Sequence, residues 1–165
     1  MKPRQIRRVI SLAGTTLLVA IFSCMTSVSV SGQKAGAKGK SFAQKLVETT
    51  LAQHPEADEV GISTYTRGGC YGIASTDKSD IGEKCEKDDI APMQTGKPYV
   101  EREKDGFDVS VPLHDSAGKI IGSLGVGFKR AAGQTEASVT EQAQKIAAEL
   151  ESRISLKAKL FERSK

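Results

Sequence analysis

Apolar residues between positions 42 and 51 recur at steps of three and four residues, which is the spacing of an amphipathic helix. Ser41 is a favourable N-cap for this helix, and Pro55 ends the pattern. We therefore predict that folded structure begins near Ser41 with a helix of about three or four turns. The apolar positions are Phe42, Leu46, Val47 and Leu51.

The period changes to two after Pro55, because apolar residues alternate there with small or polar ones. Gly68-Gly69 supplies a tight turn between the first two alternating stretches. The chain is polar between 77 and 96, where Asp88-Asp89 favours the N-terminus of a short helix within a loop. Five strands are predicted, over 60–65, 70–76, 99–103, 107–114 and 119–129.

Helical spacing returns at Thr135 and continues to Phe161, with an apolar side opposite a side rich in Glu, Gln, Lys and Arg. Two uses fit this apolar side: packing on the sheet, or pairing with a second copy of the chain as a short coiled coil, which would give a homodimer. The spacing is broader than a coiled-coil seam, which favours packing. The order of elements predicts an α+β fold with a five-stranded antiparallel sheet and helices at both ends.

The N-terminal segment has the order of a secretory signal, with basic residues, an apolar run and then small residues. The mature protein would then be periplasmic or secreted. Two alternatives stay open, namely retention of the apolar run 9–25 as a membrane anchor and lipidation at Cys24. The predicted parts of the chain are a signal peptide (1–31), a flexible linker (32–40), the sheet domain (41–134) and the C-terminal helix (135–165).

The formal charge of +4 comes from the N-terminal segment rather than from the domain. Four of the 24 basic residues lie within the first eight positions, which leaves 20 bases to balance 20 acids. A near-neutral domain with dispersed charges has no basic stripe for binding phosphates, so we do not expect a nucleic-acid partner. The 38% hydrophobic and 27% charged residues are ordinary for one small globular domain.

Export would leave Cys70 and Cys85 as an even pair in an oxidising compartment, and we predict that they form a disulfide. The alternative is two free thiols that lie too far apart. The cysteines and the two histidines match no zinc, c-type haem or thioredoxin-like spacing, and His114 is predicted to face solvent in a turn. No catalytic signature is found, and no enzymatic activity, metal or cofactor is predicted.

The stretch from Phe107 to Lys129 resembles the final hairpin of the Cache domain, an extracytoplasmic PAS-like sensor module. In that family, an apolar strand ending in Pro leads through a small turn with Asp and Gly to a strand that begins apolar-apolar-Gly. Segment 72–82 is similar to the family's second strand and the loop after it, and the resemblance, over about 41–130, is to a single-Cache domain. The matching hairpin positions are Pro112, Asp115, Gly118, Ile120, Ile121 and Gly122.

The resemblance implies a pocket between the sheet and the loop after the second strand. In the family such a pocket often takes a small organic anion, an amino acid or a related metabolite without a covalent bond. The family's amino-acid-binding constellation has no match here, so no specific ligand follows. Most Cache domains lie between two membrane spans, and because no second apolar span follows this domain we do not expect direct transmembrane signalling.

Charged and hydroxyl residues of the first and third strands are candidates for binding a carboxylate. Tyr65 and Arg67 share one strand face and would present a hydroxyl and a guanidinium. Lys97 precedes the third strand and would add a positive charge. For each residue, the alternative is an ordinary solvated surface position.

Three more candidates come from the third strand, the fourth strand and the loop. Tyr99 and Ser110 lie on neighbouring strands and would point to the same side, while Met93 with Ile90 would form a lid. Their alternatives are satisfied hydroxyls and plain loop anchors. Strand glycines that permit a bulge or close approach of a ligand are a further feature, at Gly122, Gly125 and Gly127.

These observations predict an exported protein that binds a small organic ligand, carboxylate-like or amino-acid-like, and relays binding to a separate envelope protein. Ligand binding would order the loop over 81–96 against the sheet. A rival prediction is an envelope structural or interaction protein without a ligand pocket, whose surface or C-terminal helix binds another protein.

Overall fold

The computed structural model describes residues 39–163, and the predicted order of elements is found there. The predicted signal peptide, Cys24 and all but the last two residues of the linker lie outside the described residues. No helix within 39–163 is long and apolar enough to cross a membrane. The elements are α1 (Phe42–Gln53), β1 (Ala57–Thr66), β2 (Gly69–Ser75), α2 (Lys87–Thr95), β3 (Tyr99–Arg102), β4 (Gly106–His114), β5 (Ile120–Lys129) and α3 (Glu136–Glu151), with 3-10 helices at Lys78–Asp80 and Lys157–Phe161.

The five strands form one antiparallel sheet in the order β2-β1-β5-β4-β3, which confirms the predicted α+β fold. The first and last strands of the sequence pattern, β1 and β5, are therefore neighbours in the middle of the sheet. Because side chains alternate between the two faces of a strand, the register of these pairs decides which residues share a face.

One face of the sheet carries the hydrophobic core. Its strand residues are branched or aromatic and are buried against the apolar sides of α1 and α3. Ser41 begins α1 as predicted, since its side chain accepts a hydrogen bond of 3.1 Å from the Gln44 N–H. The principal core residues are Val60, Ile62, Val109, Val111, Leu113, Leu124, Val126 and Phe128 from the sheet, with Leu46, Val47, Val139, Ala143, Ile146 and Leu150 from the helices.

The opposite face of the sheet carries small and acidic residues and faces α2 and the segment before it. Gly61 lies opposite Gly125, which in turn lies opposite Ser110, so these residues form one row across β1, β5 and β4. Residues with so little side chain leave space above the sheet. This face, rather than the apolar one, therefore holds the cavity described below.

The C-terminal helix is shorter than the sequence pattern predicts. α3 ends at Glu151, and the chain turns so that Ile154 and Leu160 are buried as separate anchors. The prediction of one helix as far as Phe161 is wrong because the chain reverses and returns to α1, where the Phe42 N–H donates to the Glu162 carbonyl. The apolar side of α3 packs on the sheet of its own chain, as the broad spacing favours.

Cys70 and Cys85 form the predicted disulfide, with their Cα atoms 5.3 Å apart. Cys70 lies on the edge strand β2, and Cys85 directly precedes the N-cap of α2. The bond therefore joins the edge of the sheet to the segment that covers its polar face.

Candidate functional site

A cavity of about 490 Å³ lies between the polar face of the sheet and the segment from Asp80 to Asp89. We call it the acidic cleft. Its volume is within the range of pockets that hold small organic molecules, about 300–1,000 Å³. Residues of β1, β2, β4 and β5 form its floor, and the segment before α2 and the β3–β4 connection form its walls.

The floor of the acidic cleft consists of two rows of residues fixed by strand register. In the first row, Gly127 of β5 is paired with Glu59 of β1 on one side and with Asp108 of β4 on the other. The second row is Gly61, Gly125 and Ser110. A Cβ atom at Gly125 would meet only the Ser110 Oγ, at 3.8 Å, so the floor is open at this point.

The wall of the acidic cleft is held against β2 by backbone hydrogen bonds. The Gly72 N–H donates to the Glu83 carbonyl over 3.0 Å, and the Gly82 N–H donates to the Gly72 carbonyl over 2.9 Å. A Cβ atom at Gly72 would lie 2.5 Å from the Asp80 carbonyl oxygen. Only glycine therefore allows the wall to approach the strand this closely.

The start of α2 completes the wall through a capping box. The Glu86 side chain accepts from the backbone N–H at Asp89, and the Asp89 side chain accepts from the Glu86 N–H over 3.1 Å. Acidic residues at a helix N-terminus are favoured by the helix dipole. The same local signals that begin α2 therefore also place carboxylates beside the cleft.

The lining of the acidic cleft is strongly negative. Ten of its residues are acidic, and Lys84 is the single basic residue among them. The ion pairs found among residues 39–163 involve none of these ten side chains. The acidic residues are Asp58, Glu59, Asp80, Glu83, Glu86, Asp88, Asp89, Glu103, Asp105 and Asp108.

Burial and mutual repulsion weaken the acidity of the floor residues. Burial is the largest cause that raises the pKa of Glu59 to about 7, and a hydrogen bond and the negative charge of Asp80 add to it. Burial also raises the pKa of Asp108 to about 7, with further contributions from Asp88 and Glu103. The pKa of Asp89 is raised as well, mainly by burial. The cleft therefore holds two carboxyl groups, those of Glu59 and Asp108, whose pKa lies near neutral pH.

Ser110 supplies a polar group in the floor that the protein itself does not use. The residue is only 2% exposed and lines the cleft. None of the side-chain hydrogen bonds formed within residues 39–163 involves its hydroxyl. The fully buried side-chain oxygens without a partner among the described residues are those of Ser123 and Gln142, so the Ser110 hydroxyl opens to the cavity and is available for a hydrogen bond with a bound molecule.

Of the six predicted site residues, Ser110 lines the acidic cleft, and the other five are not part of its lining. Tyr65 lies at the far end of β1 and is 44% exposed, with its carbonyl accepting from the Lys157 Nζ. Arg67 is exposed in the β1–β2 turn.

The remaining three predicted residues lie around α2 and β3. Tyr99 is paired with Ser110, but its ring lies 5.4 Å from the Lys87 Nζ rather than in the cleft lining. Lys97 is exposed before β3, and Met93 is half-buried on α2. The positive charges expected for a carboxylate ligand are thus not brought together, whereas Gly125 and Gly127 do line the cleft.

The acidic residues of the floor were missed because they are far apart in sequence. Glu59 and Asp108 are 49 positions apart and become neighbours of one glycine only through the register of β1 and β4 with β5. One signal was available, since each acid lies on a strand in alternation with buried apolar residues. An acidic residue in the middle of such a strand indicates that the face of the sheet opposite the apolar core has a function other than packing.

The two histidines lie outside this cleft. His114 is the last residue of β4 rather than a turn residue, and its half-buried side chain places Nδ1 2.6 Å from the Glu151 carboxylate on α3. His54 bridges Glu56 and Glu149, both at 3.0 Å. Within residues 39–163, no group of three or more His, Cys, Asp or Glu side chains converges on a point where a metal ion would be held.

Comparisons with known proteins identify the fold. No protein-family model matches the sequence, and no curated protein matches it. Among solved structures, the chain is similar to the C-terminal domain of the E. coli transcriptional regulator KdgR, with a TM-score of 0.51 and 10% identity over 69% of this chain and 99% of that one.

Two further solved structures give the same result. The repressor BlcR from Agobacterium tumefaciens has a TM-score of 0.51 and 10% identity over 69% of this chain and 67% of that one. The GAF domain of A. aeolicus NLH2 in an inactive state has a TM-score of 0.50 and 14% identity over 68% of this chain and 84% of that one. At these identities the likeness shows the fold alone. The chain has a GAF/PAS-like α+β fold.

Proposed function

We propose that this protein is an exported sensor domain of the single-Cache type that binds a small organic molecule in the acidic cleft. The observation that carries the proposal is the cavity of about 490 Å³ on the polar face of the sheet. A sheet with two covered faces normally buries apolar side chains on both, whereas here the second face has a floor of Gly61, Gly125, Gly127 and Ser110. Because these residues have little or no side chain, the floor does not pack against the covering segment and leaves room for a ligand.

Three further observations support the proposal. The fold is shared with a GAF domain, and by analogy with such a sensor domain it can present a ligand site. The β4–β5 hairpin resembles the Cache hairpin. The disulfide fits an oxidising compartment, in agreement with the secretory signal predicted over 1–31.

Binding would act by a shift of populations between an open and a closed wall. The part that moves would be the segment from Asp80 to Gly96, which contains the wall before α2 and α2 itself and which the disulfide holds at Cys85. A ligand that contacts both the floor and this wall favours the closed arrangement by its differential affinity. A separate envelope protein that recognises the closed surface would receive the signal.

A thermal-shift screen of the full chain tests the proposal. Organic acids, amino acids, purines and polyamines form the panel, and a ligand at a hundred times its Kd stabilises by about 2.7 kcal/mol. We expect a saturable shift for at least one compound, together with slower hydrogen exchange over 81–96 in its presence.

Gly125→Leu is the matched variant, because a side chain there projects over the floor with only Ser110 Oγ nearby. It should abolish the shift, and Gly125→Ala should weaken it less. Silence across the panel, or a shift that Gly125→Leu leaves unchanged, would reject the cleft as the site and favour the interaction protein.

A further inference from the structure

We infer that the acidic cleft selects an organic cation, a molecule with one or more ammonium or guanidinium groups, held between Glu59 and Asp108. This inference rests on the proposed function, because it names the class of ligand for the same cleft. It departs from the carboxylate that the sequence suggested through Tyr65 and Arg67.

The arrangement of the floor is the first argument. Glu59 and Asp108 are both paired with Gly127, one on each neighbouring strand. Strands two spacings apart are separated by about 10 Å, so the two carboxyl groups flank a gap rather than touch each other. A Cβ atom at Gly127 would lie only 2.8 Å from the Asp58 Oδ1, so a third carboxylate lies over this glycine. A cation that approaches this row therefore meets the carboxyl groups of Asp58, Glu59 and Asp108.

Ser110 gives the second, independent argument. The residue lies in the next row of the floor and is 2% exposed, and its hydroxyl, which opens to the cavity, forms no hydrogen bond with the described residues. A hydroxyl can donate or accept, and an ammonium or guanidinium carries several N–H donors. An organic cation that extends from this row over Gly125, where the floor is open, would use Ser110 as an acceptor.

The charge of the whole lining is the third argument. Ten acidic side chains and Lys84 surround the space, so the cleft concentrates cations and repels carboxylates. Burial and mutual repulsion hold the pKa of Glu59 and of Asp108 at about 7 without a ligand. A bound cation removes that repulsion, so binding should release protons at neutral pH.

Isothermal titration of the full chain with matched probes tests this inference. Putrescine, 1,4-butanediol and succinate have similar lengths but carry two positive charges, none and two negative charges. Agmatine adds a guanidinium, and CaCl₂ supplies a cation without an organic part. We expect putrescine or agmatine to bind at least tenfold more tightly than butanediol and succinate, and at least tenfold more tightly at pH 8 than at pH 5.5.

Three variants test which carboxylates bind the cation. Glu59→Gln and Asp108→Asn should each weaken cation binding at least tenfold. Glu101→Gln is the matched control, because Glu101 is the partner of Asp108 on β3 but does not line the cleft, and it should leave affinity unchanged. Thermal melts of all three check that each variant is folded.

The outcomes separate the inference from the proposed function. Tighter binding of succinate or butanediol, lost in Gly125→Leu, would overturn the cation and keep the cleft. Binding of Ca²⁺ but of neither amine would overturn the organic cation. If none of these probes binds, the inference fails, and the thermal-shift panel with Gly125→Leu decides separately whether the cleft binds another class of molecule.

Discussion

Cys70 of the edge strand β2 is bonded to Cys85, the residue before the N-cap of α2, so one covalent bond fixes the wall of the acidic cleft to the sheet. The backbone reinforces this link, since the Cys85 N–H donates to the Cys70 carbonyl over 3.2 Å. The wall has few apolar anchors of its own, and many of its residues are charged and exposed. Its position therefore depends on the disulfide more than on burial.

Removal of the disulfide should lower the free energy of unfolding by about 3 kcal/mol, because the bond closes a loop of 15 residues. Chemical denaturation of the Cys70→Ser/Cys85→Ser double variant, compared with the unchanged chain, measures the loss. Alkylation of the native chain, read by mass spectrometry, should leave both cysteines unmodified. An unchanged denaturation midpoint would show that the wall is held by its other contacts.

Stability should depend on pH through the cleft. The pKa of Glu59 and of Asp108 is raised to about 7 from usual values of 4.5 and 3.8, so the native chain binds more protons than the unfolded chain between these limits. The free energy of unfolding therefore falls as pH rises from about 4 to about 7. Both side chains are partly exposed, and we expect a total loss of about 1–2 kcal/mol rather than the full linkage value.

Asp108→Asn and Glu59→Gln should remove this pH dependence. At pH 8 each variant should unfold at a higher denaturant concentration than the unchanged chain, and at pH 4.5 the difference should shrink. Glu101→Gln removes the same charge from a neighbouring exposed position and serves as the control. A stability that rises with pH over this range would contradict the raised pKa values.

Two glycines of the sheet should respond differently to alanine. At Gly72 the added methyl would lie 2.5 Å from the Asp80 carbonyl oxygen, so the wall must move and the free energy of unfolding should fall by about 1–3 kcal/mol. At Gly61 the nearest atom, the Ala74 carbonyl oxygen, is 3.7 Å away, and the change should be tolerated. Denaturation midpoints of both variants check this, and equal losses would refute the close approach at Gly72.

Two buried serines form a second matched pair. The Ser123 hydroxyl is buried without a partner, so Ser123→Ala should be neutral or should stabilise by up to about 1 kcal/mol. The Ser75 hydroxyl donates to Asp80 over 3.1 Å and accepts from the Asp77 N–H over 3.0 Å. Ser75→Ala should therefore destabilise by about 1–2 kcal/mol. Calorimetric melts of both variants distinguish the two environments, and a large loss for Ser123→Ala would reveal an unseen partner.

Local patterns along the chain were sufficient to predict the helices, the strands and the fold class. Alternation of apolar residues on β4 and β5, helical spacing in α1 and the Ser41 cap are local signals, and each is found in the structure. The disulfide followed from cysteine count and the predicted compartment. Local pattern failed after Glu151, because the burial of Ile154 and Leu160 requires a chain reversal that helical spacing does not encode.

The location of the cleft and the sign of its charge depend on how distant strands pair, and local patterns do not contain this information. Placement of β1 beside β5 brings Glu59 and Asp108 to the two sides of Gly127, and the wall adds acids from a segment that reads as a polar loop. Of the predicted site residues, Ser110 is in the lining because its position in the row opposite Gly125 is fixed by strand pairing. Strand register pairs segments that are distant in sequence. The net charge of the cleft is the sum of the side-chain charges that all of these segments contribute. The sequence therefore encodes the register and the charge of the cleft, but neither can be predicted before the pairing of the strands is known.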